Sequence, residues 1–402
     1  LSIKRMVGVI APVALLAALL IPVGPARAAT TYEIGVGQDF FEDGVPGFSA
    51  RFYPGSIRVH DGDTIHFDFP PGLGPEGAYP QEHIGENDTH IGDPGSFFEF
   101  DPDEGNRALK FNLAAFFDPG ADCGSQDNPC VWGPNSDVIF PAFPEEGPPD
   151  IYVLIDADPG TTLWAASAGA SDVNVNFKVE VVANNEAAST QQELDARGDS
   201  LRRKDREDAH ALHERMSAKK TWHRNAAGRK VFDVFVGASG GPIEMFASYP
   251  ERIAIPKGAR VQFHFMSQVE PHTATFGGPN AREVFNNFLM PACDPDGDDG
   301  TAPDVEASFD PETGQPLCPD GTTLEGDVHP RLPWNVGDGR VRSNNDYENS
   351  GLIFPRFPDG GSFDVNPSPW TVSFPNTSDR KGFKYICLIH GGFMGGRVRV
   401  RN

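Results

Sequence analysis

An all-β fold of two tandem β-sandwiches joined by a charged helical linker is what this 402-residue chain predicts. Three observations carry the expectation. First, 44 Gly, 37 Pro and 30 Phe punctuate the chain with turns at short intervals and leave few long helical patterns. Second, the sequence repeats itself. Tyr53-Pro-Gly-Ser-Ile-Arg-Val-His-Asp-Gly-Asp-Thr-Ile-His-Phe-Asp-Phe69 returns as Tyr249-Pro-Glu-Arg-Ile-Ala-Ile-Pro-Lys-Gly-Ala-Arg-Val-Gln-Phe-His-Phe265, each alternating apolar and polar residues about a Gly turn. Ile139-Phe-Pro-Ala-Phe-Pro144 returns in the same way as Ile353-Phe-Pro-Arg-Phe-Pro358. Third, between the two copies the composition changes abruptly over 184–229, which is charged, Ala-rich and poor in Pro. The length suffices for two domains, each with its own core.

Residues 1–28 read as a secretory signal. Lys4 and Arg5 precede an apolar run from Val7 to Val23, and Ala26-Arg-Ala28 is a small-residue cleavage site. No other stretch is long and apolar enough to span a bilayer, so the expectation is an exported chain, secreted or held outside the cytoplasm, with no membrane span after cleavage. Export gives the five cysteines meaning, because disulfides persist outside the cytosol and an odd count leaves one thiol over. Cys387 is the odd one. The other four allow three connectivities, of which the local one, Cys123 with Cys130 and Cys293 with Cys318, is favoured because each pair lies in a different half. Each closed loop would stabilise its half by about 2–4 kcal/mol.

Residues 29–183 form the first expected sandwich. Its last part, Leu163-Trp-Ala-Ala-Ser-Ala-Gly-Ala170 followed by the closing strand Phe177-Lys-Val-Glu-Val-Val182, has no Cys, His or Met between Tyr152 and Ala183. His83 and His90 read as surface loop residues, with an adventitious or type 2 metal site as the weaker alternative. The linker, 184–229, predicts one or two helices around Gly198. Ser189-Thr-Gln-Gln192 offers a capping box and Glu193 with Arg197 an i,i+4 pair. Its apolar residues are sparse, and Leu194, Leu201 and Leu212 sustain no heptad, so it reads as a solvated spacer.

Residues 230–402 form the second expected sandwich, and they carry the chemistry. In Tyr-Ile-Cys-Leu-Ile-His-Gly-Gly-Phe-Met, Cys387, His390 and Met394 stand in one short turn between strand-like stretches. His272 opens a strand at His-Thr-Ala-Thr-Phe, after the strand-like run 259–266. Two imidazoles, a thiolate and a thioether suit a copper ion that alternates between Cu(I) and Cu(II), since sulfur favours the reduced ion and imidazole tolerates both.

These four residues resemble the cupredoxins, the superfamily of blue-copper β-sandwiches that includes plastocyanin, amicyanin and azurin. The family pattern is an early His on a strand, then Cys-x2-His-x(2–4)-Met before the final strand. Gly391-Gly392 stands here where the family commonly has a proline. The resemblance implies a Greek-key sandwich in each half, with ligands kept only in the second. It also implies one type 1 copper held by His272, Cys387 and His390, with Met394 as weak axial ligand and His390 at the solvent edge, where electrons leave.

The function expected is one-electron transfer, with a non-catalytic copper storage, delivery or interaction module as the alternative. The two-domain cupredoxins also include nitrite reductases and laccase-like oxidases. Ile386 and Leu388 flank Cys387, however, and no His-x-His pair occurs, so the sequence-based expectation is a protein that is not an enzyme. The formal net charge of −24 excludes nucleic acid as a natural partner and suits a basic redox partner protein. Asp294-Pro-Asp-Gly-Asp-Asp-Gly300 has the composition of a calcium loop but lacks the bidentate Glu that closes one, so calcium is a minor expectation.

Overall fold

The computed structural model describes residues 27–68, 123–134, 151–167, 177–268, 271–288, 335–353 and 368–402, together with short strands at 82–84, 98–100, 109–111, 138–139, 292–293, 305–306, 308–309 and 316–317. The fold is all-β, and two sandwiches are built on one plan. In the N-terminal one, Thr31–Asp39 pairs in parallel with Thr64–Asp68 in the first sheet, while Ser56–His60 pairs in parallel with Phe177–Val182 in the second. Ser56–His60 and Thr64–Asp68 are neighbours in sequence, yet they lie in different sheets. The turn between them crosses from one sheet to the other at Gly62, whose φ of 79° a side chain would oppose. The C-terminal sandwich repeats the scheme. Lys230–Val236 runs parallel to Arg260–Phe265 in one sheet, and Arg252–Pro256 parallel to Gly391–Arg401 in the other.

Alternation explains why these segments form strands facing a core. Ile253 and Ile255 point inward while Arg252 and Ala254 point outward, and Ile151, Val153 and Ile155 do the same in the first half. Between the N-terminal sheets lie Ile34, Ile65 and Phe67 from one and Ile57, Leu163 and Val179 from the other. Phe263, Phe276, Trp370 and Tyr385 fill the C-terminal core, with ring centroids 5.1–6.3 Å apart.

The halves share structure. The seven-stranded sheet of the N-terminal sandwich takes in two strands from beyond residue 230: Ile243–Met245 pairs with Gly47–Tyr53, and Ser239–Gly240 completes the edge. A single helix, Gln191–Ser217, packs across this sheet. The solvated spacer expected from its sparse apolar residues is corrected here. Leu194, Gly198, Asp205, Ala209, Leu212 and Met216 are buried along one side, and Asp205 Oδ2 accepts from Ser49 Oγ at 2.9 Å, Arg51 Nε at 2.9 Å and Tyr53 Oη at 2.7 Å. The capping box is also one residue later than expected. Thr190 caps and Glu193 closes the box, while Ser189 Oγ accepts from Arg58 N at 3.0 Å and Arg197 donates to Ser56 Oγ at 2.6 Å.

Cys123 and Cys130 form a disulfide, as expected, which suggests an extracytoplasmic location. The expected pairing of Cys293 with Cys318 lies outside the described residues, as do the body of the expected signal segment, His90 and the acidic run 294–300. The backbone of His83 belongs to the strand Glu82–Ile84, between Thr162–Ser167 and Val138–Ile139, rather than to a loop. Among the described residues, no helix is long and apolar enough to cross a membrane.

Candidate metal centre

Three segments of the C-terminal sandwich bring their side chains to one point. His272 lies just ahead of Thr275–Phe276 and is fixed by a two-way backbone bridge to Ile353, at 3.1 and 3.0 Å. Cys387 ends the strand Phe383–Cys387. The chain then turns through Leu388 and His390 into Gly391–Arg401, where the register shifts at Cys387 and Gly391 takes a φ of 64°. A glycine at that position is therefore required by the turn, which is the physical account of the Gly that stands in place of proline.

His272 Nδ1 lies 3.2 Å from His390 Nδ1, and Cys387 Sγ lies 3.4 Å from His390 Nδ1. The three donor atoms all fall within 4.8 Å of one another, and all three residues are buried. Three ligands at bonds of about 2.0–2.3 Å to one ion, spread at about 120°, would stand about 3.5 Å apart. The observed spacings thus fit a single small metal ion. Among the described residues, this is the group of His, Cys and acidic side chains placed to hold one. Met394 is buried at 1% exposure in the same core as Cys387.

Electrostatics favour the ligating form of the sulfur. Burial opposes ionisation of the Cys387 thiol, yet the charge of His390 and hydrogen bonds with His272 and His390 hold its pKa well below the ordinary thiol range. Thr273 N also points at Cys387 Sγ, at 3.4 Å. For His272, burial opposes protonation, but hydrogen bonds to Cys387 and to the Glu244 carboxylate raise its pKa.

Two features escape the sequence reading. His390 is 2% exposed, so the expectation of a ligand at the solvent edge is corrected: Phe246 covers it, with ring centroids 4.4 Å apart. The second feature is Glu244, fully buried on Ile243–Met245. Its Oε1 is 3.0 Å from His272 Nε2, and its Oε2 accepts from Ser267 Oγ at 2.8 Å and from Ser239 Oγ. A charged residue inside Ile-Glu-Met-Phe was the signal available, because a carboxylate among apolar neighbours needs a partner when buried.

No protein-family model matches the sequence, and no curated protein does. Among solved structures, the chain is similar to a Cu-containing nitrite reductase from Thermus scotoductus SA-01, at 12% identity and a TM-score of 0.21, over 93% of this chain and 68% of that one. It is also similar to a multi-copper oxidase from Pediococcus acidilactici, at 11% identity and a TM-score of 0.15, over 94% of this chain and 89% of that one. Both titles name copper enzymes, against the expectation that the chain is no enzyme, and that expectation is withdrawn. At these TM-scores the likeness argues for no particular activity. The fold is that of all-β sandwiches, and the buried His-Cys-His group has donors that suit copper.

Proposed function

We propose that His272, Cys387 and His390 hold one type 1 copper ion, with Met394 as a weak axial ligand, and that the centre takes up and passes on single electrons. The convergence of two imidazole nitrogens and one cysteine sulfur, all from buried residues, carries the reading. Copper bound there supplies a one-electron couple. The protein holds the donors rigidly: His272 is pinned by Ile353 on its backbone and Glu244 on its ring, and Cys387 is held by its strand and by Thr273 N. Little rearrangement then accompanies the change of oxidation state, which is what fast transfer needs.

In this reading the protein is exported. Residues 230–402 hold the metal, 29–183 form a sandwich that has lost its ligands, and 184–229 link the two. Copper storage or delivery is the second reading, because the same donors would serve it. Copper-loaded protein is expected to contain one copper per chain by metal analysis, to show an intense blue charge-transfer band, and to cycle rapidly with chemical oxidants and reductants. A colourless copper adduct would overturn the type 1 assignment, and a blue centre that cycles only slowly would favour storage.

A further inference from the structure

His390 is buried, so the edge of that ring does not itself meet a partner at the surface. The ring against it shows where the path continues. Phe246 follows the strand Ile243–Met245, 4.4 Å from the His390 ring and 6.5 Å from that of His272. Phe246 also stacks on two rings of the N-terminal half: Phe48 at 5.2 Å with 15° between planes, and Phe41 at 6.4 Å with 13°. Phe48 is fully buried and leads only into the core. Phe41 is 36% exposed and begins the turn 41–44, whose four residues are all exposed. Packed rings from a ligand to the surface therefore run His390, Phe246, Phe41.

The surface where this path ends has a definite chemistry. Phe41 sits among Asp39, Glu42 and Asp43, and its own N–H donates to Asp39 Oδ1 at 3.3 Å. Arg206 of the helix bonds Asp43 at 2.7 Å, while Asp39 and Glu42 add two further carboxylates within the stretch 39–43. The chain as a whole carries −24.

We propose that electrons enter and leave the copper centre through Phe246 and Phe41, and that the exposed turn 41–44 of the N-terminal half is the docking surface for a basic redox protein. This rests on the electron-transfer reading above. An aromatic side chain buries a large apolar face at an interface with little loss of rotamer freedom, and the carboxylates around it steer a cationic partner to that spot. One electron is lost by the reduced centre and one is gained by the partner's oxidised centre; no atom or proton is transferred. The sandwich without ligands thereby acquires a role, since it carries the exit.

The test uses the full-length copper-loaded chain and cytochrome c, a basic haem protein, in stopped-flow at low and high salt. Phe41→Ala is expected to slow electron exchange about tenfold, the effect of losing one aromatic anchor, while the visible band and reduction potential stay those of the unaltered protein. Phe41→Tyr should restore the rate. Glu42→Lys should slow exchange at low salt and have little effect at high salt. Trp164→Ala, which removes another exposed aromatic of the same half, should change nothing. If Phe41→Ala and Glu42→Lys both exchange at the unaltered rate, or if Phe41→Ala shifts the band or the potential, the proposed route is wrong. A protein that shows no blue band, or that fails to cycle with dithionite and hexacyanoferrate, overturns the electron-transfer reading itself and this inference with it.

Discussion

Glu244 Oε1 stands 3.0 Å from His272 Nε2, and both side chains are fully buried. With Nε2 donating to that carboxylate, the Nδ1 of His272 is left bare and turned toward Cys387 and His390, as a metal ligand must be. The carboxylate belongs to a strand that pairs with the N-terminal sheet, so the orientation of a ligand in one sandwich depends on backbone hydrogen-bonded to the other.

Glu244→Gln should keep an acceptor for His272 while removing a negative charge beside the ion. Cu(II) gains more from that charge than Cu(I), so the reduction potential should rise, with the blue band retained. Glu244→Ala removes the acceptor, and copper affinity should fall about 10- to 100-fold. Redox titration and competition with a copper chelator measure the two effects. An unchanged potential in Glu244→Gln would mean that the carboxylate is uncharged or screened.

Cys387→Ser should abolish the intense charge-transfer band, because that absorption belongs to the copper–thiolate bond. Met394→Leu keeps the apolar volume in the core and removes the thioether, so the colour should stay and the potential should shift. Visible spectra and redox titration of the two variants check both statements. Loss of copper from Met394→Leu would show that the sulfur is a strong ligand.

What could be read from the sequence was local. The strands of both sandwiches are visible as alternating residues about Gly turns, and Cys387, His390 and Met394 announce themselves by spacing within eight residues. What escaped depended on segments far apart in the chain. The docked face of the helix is held by Gly198, Asp205 and Ala209 as much as by leucines, and a search for apolar periodicity passes over a glycine and a carboxylate. At Gly198, a Cβ would stand 3.2 Å from the carbonyl oxygen of Tyr53. The burial of His390 depends on Phe246, more than 140 residues earlier, and no property of the loop itself reveals it. Ser189 and Thr190 can both cap a helix, and tertiary contact with Arg58 decides between them.

Asp205→Ala should destabilise the chain by about 3 kcal/mol, since it strips a buried carboxylate from Arg51 and leaves the Ser49 and Tyr53 hydroxyls without their acceptor. Chemical denaturation of the copper-free protein reads this directly. Lys204→Ala, which removes the partner of Asp208 on the exposed side of the same helix, should cost at most about 0.5 kcal/mol. Equal losses in the two variants would mean that the helix does not dock through Asp205.

Non-reducing peptide mapping should recover Cys123 linked to Cys130, Cys293 linked to Cys318, and Cys387 as a thiol. The last result is the decisive one, because a bridge from Cys387 to any other cysteine would take away the thiolate on which the metal reading depends.

Gly237→Ala should damage stability and metal binding together. Gly237 has a φ of 64°, where a side chain is disfavoured, and an added Cβ would stand 2.5 Å from His272 Cδ2 and 3.2 Å from Glu244 Oε1. The backbone term alone is on the order of 1–3 kcal/mol. The contact falls on the His272–Glu244 pair, so the imidazole must turn away from Cys387 and His390 to admit the methyl group. Gly241→Ala is the control, since its φ of 62° imposes the same backbone cost while its Cβ would meet nothing within 4 Å. Both variants should lose stability in thermal unfolding without copper, but only Gly237→Ala should also bind copper more weakly. If the two bind copper alike, Gly237 is needed for its turn alone, and His272 has room to move.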